Sequence, residues 1–96
     1  MGLEILVSRN GPPPLSALLE RLAATGMPTV IVMVDNILQV PGAPAPTVWQ
    51  DVRLKTPMGT VTLVQRDGGI GVVVFGNASA QLQEAHRRVG AAVAEV

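Results

Sequence analysis

The groups that could carry chemistry in this 96-residue sequence are few and scattered. His86 is its one histidine, and the nearest carboxylate in sequence, Glu84, falls on another side of the helix that should carry both. A proton relay needs such a partner within hydrogen-bond reach. One histidine and no cysteine leave no zinc ligand set and exclude disulfide or thiolate chemistry. Ser8, Ser16 and Ser79 are the serines, and none stands in a Gly-x-Ser-x-Gly elbow. Asp35, Asp51 and Asp67 occupy turns or solvent-facing strand positions, which account for them without catalysis. Gly68-Gly69-Ile70-Gly71 lacks the spacing of a phosphate loop or dinucleotide fingerprint and fits a hairpin turn. A non-enzyme without cofactor or metal is the expectation.

Two stretches could bind rather than react. Gly76-Asn77-Ala78-Ser79 joins the end of an apolar strand to a helix N-terminus, where free amides and the helix dipole favour an anion. Ordinary capping by Asn77 or Ser79 explains the same residues. If Ile37 to Val40 is a strand, a continuous meander would bring Arg9, Asn10, Asp35, Asn36, Asn77 and Ser79 to one sheet edge, the edge that ligands favour in open α/β sheets. Otherwise the cluster dissolves. The second stretch is Val48–Thr56, whose alternation places Trp49, Asp51, Arg53 and Lys55 on one face. An out-facing tryptophan would be an interface anchor. Folding of Pro44 or Pro46 over the ring would make it local packing instead.

The elements that must position these groups follow from periodicity. Leu3–Ser8 alternates with a period of two and predicts a strand. Leu15, Leu18, Leu19 and Leu22 recur at helical spacing, with Pro14 suited to the first turn and Gly26 to the C-terminal stop, so a helix is expected over about 13–25. Val30-Ile31-Val32-Met33-Val34 and Ile70–Phe75 are apolar on both faces, the signature of central strands covered on both sides. Strand, helix, strand at the N-terminus suggests a right-handed unit with parallel strands. Pro41, Pro44 and Pro46 confine 41–46 to an extended loop. Strands at 48–56, 60–66 and 70–75 should form an antiparallel meander, with Asp67-Gly68-Gly69 as one of its turns. A last helix over 80–94 carries a Glu84–Arg88 pair and the stripe Leu82, Ala85, Val89, Ala92, Val96. The sum is one α+β domain over 1–96, a mixed, mainly antiparallel sheet with two helices packed on one face.

Composition narrows the function classes. Apolar residues make up 48% and charged residues 15%, so the chain should fold rather than stay disordered. Seven basic and seven acidic residues cancel, and the basic ones form no stripe for phosphates. With one Trp, one Phe and no Tyr there is no stacking platform for single strands. Nucleic acid is therefore not expected as a partner. The opening Met1-Gly2-Leu3-Glu4 has no basic leader region, and the longest apolar run, Val30–Val34, is too short to span a bilayer. A cytoplasmic protein that avoids membranes is the expectation.

From Leu15 onward the order of elements resembles the roadblock family of small dimeric adaptor domains and GTPase regulators. The likeness lies in Leu15–Gly26, Val30–Val34 and the meander Val52–Phe75 followed by a helix. The family's helix between its second and third strands is missing, and Pro41–Pro46 stands in its place. The opening strand Leu3–Ser8 is additional. These departures fall where the family's dimer and function reside, so no site carries over. The functional expectation is a non-catalytic protein-interaction module that self-associates, with Trp49, Asp51, Arg53 and Lys55 at the interface. The alternative is a regulatory domain holding a small ligand or anion at Asp35, Asn36, Gly76, Asn77 and Ser79.

Overall fold

Periodicity of two at the start and of 3.6 soon after it gives a strand, β1 (Leu3–Ser8), and a helix, α1 (Leu15–Ala24), in the computed structural model, which describes residues 2–96. Pro14 supplies an extended N-cap to α1. The helix ends where Gly26 takes φ +87° and the amides of Gly26 and Met27 bond back to Ala23 and Leu22. That left-handed turn closes the orphan carbonyls and favours glycine. Strands β2 (Val30–Val34), β3 (Ile37–Leu38), β4 (Asp51–Thr56), β5 (Gly59–Arg66) and β6 (Gly69–Val74) follow, and the last helix is α2 (Ala80–Glu95).

The six strands form one sheet in the order β1-β6-β5-β4-β2-β3, and every neighbouring pair is antiparallel. The fold is α+β, with the two helices packed together and α2 lying on β1, β6 and β5. The sheet is not mixed. β1 and β2 do run the same way, but β6, β5 and β4 stand between them, so the expected parallel neighbours do not exist. The short strand β3 is present, yet β4 returns to the other side of β2 rather than pairing with β3. The loop 39–50 makes that return, and its Ala45 packs against the core. β3 and β4 therefore run parallel to each other on either side of β2, which reverses the expected direction of every later strand.

The two all-aliphatic strands also part company. β6 is buried along its whole length between β1 and β5. β2 is one strand from the opposite margin, with only two residues of β3 beyond it, and most of it is partly exposed. Leu15, Leu18 and Leu22 of α1 meet Val52, Leu54, Val61, Leu63, Val72, Val74 and Val89 in one core. Burying each such side chain contributes about 1.5–3 kcal/mol relative to exposure. Arg9 ties the two ends of the chain together: its Nη1 donates to the carbonyls of Val93 (2.6 Å) and Val96 (2.9 Å). A cation there satisfies the last turn of α2 and complements its dipole.

Candidate functional site

Each residue singled out in the sequence has a definite place. The turn Asp35-Asn36 has both residues at positive φ (49° and 67°) and closes the β2–β3 hairpin with two residues. Such turns favour Asp and Asn, whose short polar side chains tolerate that conformation. One oxygen of Asp35, Oδ1, accepts from the amides of both Gln50 and Asp51 at 2.9 Å. The carboxylate thus pins the start of β4. Ser79 is the N-cap of α2, its Oγ accepting from the Leu82 amide at 3.1 Å. Because β6 runs opposite to β1 and β2, Gly76, Asn77 and Ser79 lie at the other end of the sheet from Arg9, Asn10, Asp35 and Asn36. The expected edge cluster is not formed, and its two best acceptors are engaged with the backbone.

Trp49 corrects a second expectation. The ring is 1% exposed and part of the core. Gln50 forms a bend before β4 begins at Asp51, so the alternation of the strand does not extend back to Trp49. Gln65 locks this junction, donating through Nε2 to the Trp49 carbonyl (2.6 Å) and through its amide to Gln50 (2.9 Å). Val48, expected inside the strand, is instead 86% exposed. Asp51, Arg53 and Lys55 do share the face turned away from the helices, with Val52 and Leu54 buried on the other. Asp51 Oδ1 is buried without a hydrogen-bond partner there. On the same face Arg66 donates to both carboxylate oxygens of Glu4 (2.8 and 3.2 Å), bridging over Gly71. That hydrogen bond and the guanidinium charge hold the Glu4 carboxyl below its usual pKa, against a smaller opposing effect of burial.

His86 is buried on α2 and faces the carbonyl of Val72 at 2.6 Å through Nε2. A carbonyl can only accept, so Nε2 carries the proton and the imidazole ties α2 to the sheet. The expected Glu84–Arg88 pair is not made: Glu84 pairs with Arg87, while Arg88 donates to the Thr25 carbonyl at the end of α1. Among the described residues no group of three potential metal ligands occurs.

Two features went unread in the sequence, and both lie at sheet margins. The first is a half-open cleft of about 530 Å³ between α1, β2, β3 and the proline loop, lined by Leu19, Val30, Ile31, Leu38, Val40 and Ala45 among others. No charged residue lines it, and its size suits a small organic ligand. The double-sided apolar pattern of β2 is the signal that could have found it.

The second is the free edge of β1. The β5–β6 hairpin closes on Arg66 and Gly69, and the Arg9 amide donates to Gly68 across the β1–β6 pair. In an antiparallel ladder hydrogen-bonded pairs recur every second residue. Leu3, Ile5 and Val7 therefore exchange bonds with Val74, Val72 and Ile70 in the observed register. The backbones of Glu4, Leu6 and Ser8 point away from the sheet, and no strand lies beyond β1 among the described residues. Leu6 is 57% exposed there, and Leu3 50%.

Comparison of the chain with protein-family models, curated proteins and solved structures finds no match.

Proposed function

We propose that the chain is a small non-catalytic protein-interaction module that self-associates. The observation that carries this reading is the open edge of β1. Natural sheets blunt their edges with short strands, proline, lysine or bulges. The β3 margin has such protection: the strand is two residues long and a proline loop follows it. β1 has six residues in unbroken register, with no proline, lysine or bulge, and it displays Leu3 and Leu6. An edge of that kind pairs readily with another strand, and near-zero net charge offers little repulsion between copies. Size-exclusion chromatography with light scattering over a concentration series tests the reading. A mass rising to twice that of the chain is expected. A strict monomer at the highest concentration contradicts it.

The cleft favours a second reading, a regulatory domain for an uncharged aliphatic ligand. Its walls are aliphatic, and the hydroxyl of Thr29, its nearest buried polar group, is already bonded to the Met27 carbonyl at 2.9 Å. Thermal-shift titration separates the two. Medium-chain alcohols or acyl amides that bind should add about 2.7 kcal/mol at a hundred times their dissociation constant, and inorganic phosphate should add nothing. No response to any aliphatic probe removes this reading.

A further inference from the structure

The open edge of β1 is complementary to itself in one particular register, and we propose that two copies join there by antiparallel β1–β1 pairing with Leu6 on the twofold axis. The inference rests on the self-association reading above and names its surface. An isologous contact requires each residue to face its symmetry counterpart. Placing Leu6 opposite Leu6 of the second copy sets Glu4 opposite Ser8, Ile5 opposite Val7 and Leu3 opposite Arg9. All three residues with outward-facing backbones then fall in pairs that exchange two hydrogen bonds each.

The side chains agree with this arrangement on both faces. On the helix-free face the two exposed Leu6 side chains meet at the axis. Each Glu4 carboxylate, already paired with Arg66 of its own chain, faces a serine hydroxyl that can donate to it. On the helix side the aliphatic pair Ile5–Val7 continues the core, since Val7 is buried and Ile5 packs against it in the isolated chain. Other registers fit worse. Centring on Glu4 opposes two carboxylates, which is destabilising in directly facing pairs. Centring on Ile5 sets Glu4 against Leu6, and centring on Val7 sets it against Asn10 while shortening the overlap. The preferred register converts two six-stranded sheets into one continuous sheet, and its interface takes no residue from the cleft.

The chain has no cysteine, so one introduced thiol reports one position. Leu6→Cys, treated with a short thiol-to-thiol cross-linker, should give a covalent dimer in high yield. Leu38→Cys at the opposite margin should give only background. Leu6→Lys brings two ammonium groups together at the axis and should weaken dimerisation at least about tenfold. Emission from the buried Trp49 would show that this variant keeps its fold. If Leu6→Lys does not fold, the Leu6→Cys cross-link decides alone. A wild-type dimer whose Leu38→Cys form cross-links while Leu6→Cys does not overturns the β1 surface but leaves self-association standing. A wild-type monomer overturns both.

Discussion

Asp35 accepts two amides through one oxygen while its own backbone sits at positive φ, so a residue that reads as an ordinary turn aspartate in the sequence organises the junction of three strands. Asp35→Ala removes both acceptor bonds and places alanine in a disfavoured conformation. A loss of about 1–3 kcal/mol is expected, measured by urea denaturation. Asp35→Asn keeps an acceptor and the conformational tolerance and should lose less. Trp49 is the larger determinant. Trp49→Ala should cost about 3–5 kcal/mol, a large share of the roughly 5–15 kcal/mol available to a domain of ordinary stability. An exposed, interface-only tryptophan would leave the urea midpoint of the monomer almost unchanged. The placement of the ring was not legible because alternation defines a face only while the strand is regular. The bend at Gln50, held by Gln65 from a neighbouring strand, is a tertiary contact that local pattern does not encode.

At the scale of the element, local pattern performed well where one physical cause dominates. The bounds of β1 were legible from alternation and the end of α1 from Gly26. However, α1 begins at Leu15 with Pro14 as its N-cap, two residues later than expected, and of the two candidate caps of α2 the fold uses Ser79. Pattern misled at β2, because an apolar second face was equated with a neighbouring layer. In the fold that face is relieved partly by a helix and loop that wall a cleft. The close approach of β1 and β6 gives a test of the sheet. A Cβ on Gly69 would lie 2.2 Å from the Val7 carbonyl oxygen, a backbone atom that cannot swing aside. Gly69→Ala should therefore cost about 1–3 kcal/mol and loosen β1 selectively in hydrogen exchange. The Glu4–Arg66 pair, which joins β1 to β5 across β6, makes a prediction in pH. A carboxyl whose folded pKa is depressed stabilises above its unfolded pKa, near 4.3, and that stabilisation is lost as pH falls through the lower folded value. Glu4→Gln should be slightly less stable than wild type at neutral pH and indistinguishable from it in strong acid. A difference that persists unchanged through the acid range would show that the pair acts by packing rather than charge. The pair is exposed, so its contribution is small.

For the whole molecule, class and layer arrangement were legible, while strand order was not. The α+β class and the helices on one side follow from hydrophobic periods and turn residues, whereas the strand at Ile37–Leu38 was left open by them. Strand order depends on the path of the loop 39–50, which crosses from one side of β2 to the other and reverses the polarity of everything after it. Prolines fix the local shape of that loop but carry no signal of where it goes. The same reversal separates Asp35 from Ser79, and the binding role suggested for their ends of the sheet gives way to two margins, one blunted beside a cleft and one open. Among the described residues no helix is long and apolar enough to cross a membrane.

Hydrogen exchange at single amides of β1 tests the open-edge account most directly. In a lone chain the amides of Glu4, Leu6 and Ser8 face solvent, while those of Ile5 and Val7 are tied to β6. Raising the protein concentration should slow exchange at Glu4, Leu6 and Ser8 by the factor set by dimer formation and leave the exposed turn amides unaffected. Rapid exchange at these three positions at every concentration, or protection that appears at β3 instead, would contradict it.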